Sequence, residues 1–226
     1  MFVVARRLLD EHVKNGHLKA NPAETVKGFK VANETTHTAL TREQARELLA
    51  SIDTTTIKGK RDFAILQLLL RTGIRRSECA MLTIGAITME QGHHVAVIQQ
   101  GKGDKRRLVK LPVDVFRSIE VYLRAAGRHN AALDDPLFTG CTKGDHSTNL
   151  GISDKLIERV VKHYAPGGVD ITPHGLRASF VTIALESGAK LHQVQYAAGH
   201  ADPRTTERYQ KRKVNLDDNA VDYIKL

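Results

Sequence analysis

Residues 172–213 read T-P-H-G-L-R-A-S-F-V-T-I-A-L-E-S-G-A-K-L-H-Q-V-Q-Y-A-A-G-H-A-D-P-R-T-T-E-R-Y-Q-K-R-K, and the rest of the chain is organised around this stretch. Thr172 is placed as a helix N-cap with Pro173 at the first helical position. His174 then falls in the first turn, and Arg177 follows one turn later on the same face. Free N–H groups and the positive dipole end at such a helix start attract anions, phosphate included. The same dipole disfavours an imidazolium, so His174 is expected neutral and available as a base. Gly199 reads as a helix C-cap, with His200 directly after it. Asp202-Pro203 opens a further helix carrying Tyr209 two turns in, among Arg204, Arg208, Lys211, Arg212 and Lys213.

A tyrosine in so basic a setting stands out in a chain with 5 tyrosines. With a phenol pKa of ~10, about one molecule in a thousand is phenolate at neutral pH. Nucleophilic use of Tyr209 therefore needs a base and nearby positive charge, and the stretch supplies both. The order H-x-x-R, then G-H, then Tyr nine residues after His200 resembles the C-terminal half of the catalytic domain of tyrosine recombinases, the phage integrase-like and Xer-like enzymes. The wording G-H-A-D-P-R-T-T-x-R-Y is similar to that of integrases of bacterial mobile elements. The resemblance implies a mainly α fold with a small three-stranded antiparallel sheet.

Upstream residues extend the match. The run R-D-F-A-I-L-Q-L-L-L-R (61–71) is apolar nearly all round and suits a central buried helix stopped by Gly73. T-G-I-R-R-S-E, residues 72–78, is similar to the first arginine motif of the family. That assigns the catalytic arginine to Arg75 and its acidic companion to Glu78, with Arg76 as the neighbour most easily confused with it. Residues 84–111 change period: Ile84–Met89 is a possible short strand, His94–Gln99 a second and Arg107–Leu111 a third, ended by Pro112. Between the last two, G-K-G-D-K makes a glycine-bounded hairpin turn. By resemblance this turn carries the catalytic lysine, at Lys102, with Lys105 as its rival.

The resemblance implies direct displacement at a DNA phosphodiester. A pentacoordinate phosphorus gathers charge on its non-bridging oxygens, which the planar forks of Arg75 and Arg177 suit. Tyr209 attacks, His174 takes its proton, His200 donates a hydrogen bond to a phosphoryl oxygen and Lys102 protonates the leaving 5′ oxygen. The product is a 3′-phosphotyrosyl link that a 5′-hydroxyl from a partner strand reverses, with no cofactor and no metal. Lys105, Arg106, Arg204 and Arg208 are assigned to DNA contact. A homo-oligomer is expected, a tetramer on double-stranded DNA formed through the C-terminal helix, whose Leu216, Ala220 and Ile224 recur every four residues. Tyr223, the alternative nucleophile, sits among Asp217, Asp218 and Asp222, which repel phosphate.

Composition agrees with this class and excludes others. A net charge of +9 favours a polyanionic partner, and 41% hydrophobic content over 226 residues allows one good core. Cys79 and Cys141 fit no metal or redox spacing and read as free thiols in a reducing compartment. His93 and His94 are adjacent in a strand and face opposite ways, and His192 and His200 lack partners at zinc spacing. The start of the chain lacks a secretory h-region and no apolar run approaches the ~20 residues of a membrane span. A cytoplasmic, nucleoid-associated protein with no membrane or small-molecule partner is expected.

Domain organisation follows. Apolar residues at helical spacing predict a helix near the start of the chain, ended by Gly16. The resemblance, in which a helical core-binding domain precedes the catalytic domain, implies that residues 1–20 are the last helix of that otherwise absent domain. Asn21-Pro22-Ala23 opens a linker over 21–40, and the catalytic domain covers 41–226, starting with a capping box at Thr41 and Gln44. T-T-T-I-K-G-K (54–60) and the polar residues 139–149 read as loops, Val113–Ala126 and Leu150–Tyr164 as helices. Apolar helical faces are placed at Val181–Leu185 and Leu191–Ala198, with Tyr196 as a core or boundary residue. Two rival functions remain open: a type IB topoisomerase that rejoins the same strand, and a catalytically idle DNA-binding remnant that occupies recombination sites.

Overall fold

The computed structural model describes residues 2–25, 38–99 and 106–199. These fall into two units, one within residues 1–34 and one from residue 35 onward. The first is helix α1 (Phe2–Lys14), which Gly16 ends in a left-handed conformation, φ 74°. Asn21 closes the following turn onto that helix. Its amide Nδ2 donates to Arg6 O at 3.1 Å and to Asp10 Oδ1 at 2.6 Å, while its Oδ1 accepts from Ala23 N at 2.8 Å. The asparagine of N-P-A is thus an Asx-turn residue that satisfies backbone groups two residues on.

The second unit has α3 (Ile57–Thr72) as its central helix, whose residues from Ala64 to Leu70 are all buried. Thr56 caps it, with Oγ1 accepting from Gly59 N at 2.9 Å, so the helix starts inside the stretch 54–60 that reads as a loop. The carboxylate of Asp145 reaches back to the same end and accepts from Ile57 N at 2.7 Å and Lys58 N at 2.9 Å. Two of the four unpaired N–H groups of the helix start are satisfied in this way. Helix α2 (Arg42–Ala50) precedes it, with the expected capping box: Gln44 N donates to Thr41 Oγ1 at 3.2 Å and Thr41 N to Gln44 Oε1 at 2.9 Å.

After α3 come the short helix α4 (Arg76–Ala80), a single 3₁₀ turn at Ile84–Ala86, and strands β1 (Ile87–Glu90), β2 (His93–Gln99) and β3 (Arg106–Lys110). The strands form an antiparallel sheet in the order β1-β2-β3. Ile84–Ala86 is helical, so β1 starts three residues later than the sequence suggests. The β1–β2 turn places Gln91 (φ 49°) and Gly92 (φ 77°) both in the left-handed region, the pattern of a two-residue type I′ hairpin. Helix α5 (Val113–Ala125) packs on α3, burying Val115, Ile119 and Tyr122, and meets the sheet where Phe116 stacks on His94 of β2 with ring centroids 3.6 Å apart.

Residues 139–151 depart from the loop expectation. Strands β4 (Thr139–Cys141) and β5 (Ser147–Gly151) form a second, two-stranded sheet. Tyr122 anchors it from below: its hydroxyl lies 3.0 Å from Thr139 Oγ1 and accepts from Thr139 N at 3.1 Å. Leu150 and Gly151 therefore belong to a strand, and helix α6 runs Asp154–His163 behind an N-cap at Ser153. Helix α7 (Pro173–Glu186) and α8 (Leu191–Ala198) complete the described chain, packed together through Val181, Val194 and Ala198. Tyr196 is exposed rather than at a core boundary, because α8 turns Val194 and Ala198 inward and leaves it on the opposite side.

The end of the stretch expected as linker joins this core. Leu40 is buried, and its N–H donates to Ser179 Oγ at 2.7 Å. Thr38 O lies 2.6 Å from where a Cβ on Gly175 would stand, so the strap 38–40 crosses α7 at a residue that must lack a side chain.

Candidate active site

Gly73 ends α3 in the left-handed region, φ 65°, and a Cβ there would meet Phe180 Cδ1 at 2.3 Å. The turn sends the chain straight into Arg75, the N-cap residue of α4. Three residues on, Glu78 turns back: its Oε2 accepts from Arg75 N at 2.7 Å and its Oε1 from Arg75 Nη1 at 2.8 Å. The carboxylate satisfies one orphan donor of the helix start and pins the guanidinium of the same residue. Arg75 Nη2 donates in turn to Gly199 O at 3.1 Å, at the C-terminus of α8.

A third participant stands opposite. Arg107 on β3, paired in register with Ile98, gives two parallel hydrogen bonds to Glu78, Nη1 to Oε1 at 2.8 Å and Nη2 to Oε2 at 2.9 Å. It is 6% exposed. Sequence reading missed it. The available signal is the alternation of β3, in which Arg107 shares the inward face with Val109. A cation at an inward strand position implies a buried counter-charge.

Burial pushes the Glu78 carboxyl up, but the Arg107 hydrogen bonds, the Arg75 N–H, the Arg107 charge and the Arg75 side-chain hydrogen bond outweigh it and hold the group at about 2. Glu78 is therefore an anion at any working pH.

Arg177 comes from α7, which begins as the sequence predicts: Thr172 Oγ1 accepts from Gly175 N at 3.1 Å and Pro173 occupies the first turn. Arg177 is 4% exposed and its Nη1 donates to Gly73 O at 2.6 Å. The carbonyl at the end of α3 thus orients one arginine two residues ahead of the other. His174, one turn before Arg177, is exposed. Arg75, Arg76, Ser77, Glu158, Thr172, Pro173, His174 and Arg177 line one open cleft of about 410 Å³. Arg76 is directed to α6, with Nη1 2.6 Å from Glu158 Oε2 and Nε 3.5 Å from Asp154 Oδ2, so two carboxylates oppose its charge. Arg106 is exposed at the start of β3 and lines a separate groove with Gln99 and Met81. Lys102, Lys105, His200, Arg204, Arg208 and Tyr209 lie outside the described residues.

The cleft can receive a group of phosphate size, with guanidiniums from two elements and an imidazole at its mouth. Among the described residues no cluster of three or more His, Cys, Asp or Glu side chains is arranged to hold a metal ion, and no helix is long and apolar enough to cross a membrane. Both cysteines are free thiols, Cys79 buried, and burial pushes its thiol well above the ordinary range.

Known proteins resemble this chain in sequence and in fold. The model of the phage integrase family matches residues 38–215. Tyrosine recombinase XerD of Neisseria meningitidis serogroup B is 36% identical over 197 residues, covering 84% of this chain and 63% of that protein. The chain thus spans somewhat under two thirds of the length of this relative. Among solved structures, XerH site-specific recombinase bound to palindromic difH substrate in a post-cleavage complex superposes with a TM-score of 0.62 at 26% identity, over 77% of this chain and 50% of that one. A lambda integrase dimer bound to a COC′ core site shares the fold, with a TM-score of 0.67 at 13% identity over 94% of this chain and 74% of that one. The family match covers the arginine turn and the parts of α6 and α7 that line the cleft, and the chain belongs to the phage integrase family.

Proposed function

We propose that residues 41–226 form a DNA strand-transfer domain that breaks a duplex strand through Tyr209 and joins the freed end to a partner strand. The observation that carries this reading is the convergence of Arg75, Arg177 and His174 on one cleft, with Arg177 buried and aimed by the Gly73 carbonyl. Two guanidinium forks at one site suit a phosphoryl group that gains negative charge in the transition state. In the cleavage step the Tyr209 oxygen bonds to phosphorus and the bond from phosphorus to the 5′ oxygen breaks. His174 takes the phenolic proton, Lys102 supplies one to the departing 5′ oxygen, and His200 donates a hydrogen bond to a phosphoryl oxygen. Glu78 supports Arg75, and Lys105, Arg106, Arg204 and Arg208 hold the DNA backbone. The exchange conserves bond energy, so a 5′-hydroxyl of another strand reverses it without a nucleotide cofactor. The solved relatives bound to difH and core-site DNA support DNA as the substrate, and a homo-oligomer on that DNA is the corresponding assembly.

A nicked duplex taken from DNA flanking the reading frame tests the proposal, because the short fragment diffuses away and traps the adduct. The parent chain is expected to accumulate covalent DNA; Tyr209→Phe is expected to bind equally and form none. An adduct that survives Tyr209→Phe and vanishes with Tyr223→Phe overturns the nucleophile assignment. Rejoining only to the original strand would indicate topoisomerase-like relaxation, and DNA binding without adduct an idle remnant.

A further inference from the structure

Three chain segments meet at one buried carboxylate. Glu78 takes both prongs of Arg107 on one side and the side chain and N–H of Arg75 on the other. Arg107 stands on β3 opposite Ile98 of β2, Lys102 belongs to the sequence between these two strands, and Arg75 holds the carbonyl of Gly199, the residue joined to His200. The Arg107 guanidinium also fills the space beside Gly199: a Cβ there would lie 2.6 Å from Arg107 Cζ and 2.8 Å from its Nε. Gly199, in the left-handed region at φ 67°, thus lacks a side chain for two independent reasons. Arg107 Nε is buried and has no hydrogen-bond partner among the described residues, so the side chain gives up one donor to hold this position.

Charge decides what the arrangement does. Glu78 alone would neutralise Arg75, and a carboxylate beside the arginine would repel an incoming phosphate. With Arg107 sharing the carboxylate, the cluster of two cations and one anion keeps a net charge of +1. A pairing kept only for stability would need one partner; the second restores the charge that the first removes.

We propose that Arg107 is a positioning residue of this active site: acting through Glu78 and against Gly199, it sets the orientation and the effective charge of Arg75. The inference rests on the proposed strand cleavage. It predicts that Arg107→Met lowers the cleavage rate at saturating nicked DNA by about 10²-fold, the loss that a misplacement of about 1 Å produces, while DNA affinity changes far less. Adding Glu78→Gln to Arg107→Met removes the unopposed carboxylate and is expected to restore the rate by about tenfold, although Glu78→Gln alone slows the parent. With the rate expressed per folded molecule, the folded fraction being read from urea unfolding, a residue that merely stabilises the fold gives no such reversal of sign. The double variant also removes both buried charges together, so it regains the stability that Arg107→Met loses and keeps the comparison readable. Arg107→Lys is expected to recover little, because a point charge cannot grip both carboxylate oxygens. A parent chain that forms adduct, with Arg107→Met equally fast or the double variant slower than Arg107→Met, overturns this inference alone. A parent chain that forms no adduct overturns the proposed function and this inference together.

Discussion

Replacing Glu78 by glutamine removes one charge from the centre of the site and changes little in size. The amide offers one oxygen to two guanidiniums and turns its NH₂ toward donors, so at least one of Arg75 and Arg107 loses its partner. The parent carboxyl is held at about 2 against its usual 4.5. At about 1.4 kcal/mol per pH unit that gap corresponds to about 3 kcal/mol of stability near neutral pH. Breaking a buried pair costs about 3–5 kcal/mol by independent reckoning, so the two agree. The sign follows from the depressed value: the contribution is complete above about 4.5 and is lost as pH falls toward about 2. Urea unfolding of parent and Glu78→Gln near pH 7 and near pH 3.5 is the assay. The difference is expected to shrink from about 3 to about 2 kcal/mol. A difference of equal size at both pH values, or one under about 1 kcal/mol near pH 7, refutes the view that two cations hold this carboxylate.

Three further outcomes follow from the same geometry. Gly199→Ala is expected to unfold at lower urea than Gly127→Ala, since both glycines have positive φ but a Cβ on Gly127 meets nothing within 4 Å; equal midpoints would mean that the Arg107 contact yields freely. Arg75→Ala and Arg177→Ala are each expected to lower single-turnover cleavage by about two to four orders of magnitude, with lysine recovering little and Arg76→Ala close to parent; a damaging Arg76→Ala beside a silent Arg75→Ala would reverse the assignment. If Lys102 protonates the leaving oxygen, Lys102→Ala is slow on normal DNA and restored on a strand with bridging sulfur, whose thiolate leaves without a proton, its pKa being about 8–9; rescue of Lys105→Ala instead would move that role to Lys105.

What the sequence made legible was the local chemistry of helix ends. Thr41 with Gln44, Thr172 with Pro173, and the glycines at 73 and 199 all act as their residue types suggest, because a cap depends on neighbours within four residues. The central helix announced itself by an apolar run, yet its first turn was hidden in T-T-T-I-K-G-K. Gly59 is a poor helix former, and its presence there answers to Asp53 O, which would lie 1.8 Å from a Cβ. The β4–β5 pair escaped because its strands are short and polar, and their anchor, Tyr122, belongs to a helix. Arg107 escaped for the same reason at greater range: Glu78 is 29 residues away, and no periodicity links a strand residue to a helix-start carboxylate. The different partners of Arg75 and Arg76 likewise needed coordinates: Arg75 meets Glu78 and Gly199, Arg76 meets Glu158 and Asp154.

The carboxylate of Asp145 has a bearing on the order in which the chain folds. It sits at φ 58° in the β4–β5 turn and binds the first two amides of α3 across a separation of 87 and 88 positions. Closing so long a loop costs entropy before any contact rewards it. The middle of α3 can assemble with α2 and α5 from nearer neighbours, whereas its first turn must wait for a hairpin made much later in the sequence. Asp145→Ala is then expected to speed unfolding and leave the refolding rate nearly unchanged, the pattern of an interaction formed after the rate-limiting barrier. Helix α3, the longest among the described residues, would begin to ravel from its capped end, at the place where a remote turn lets go.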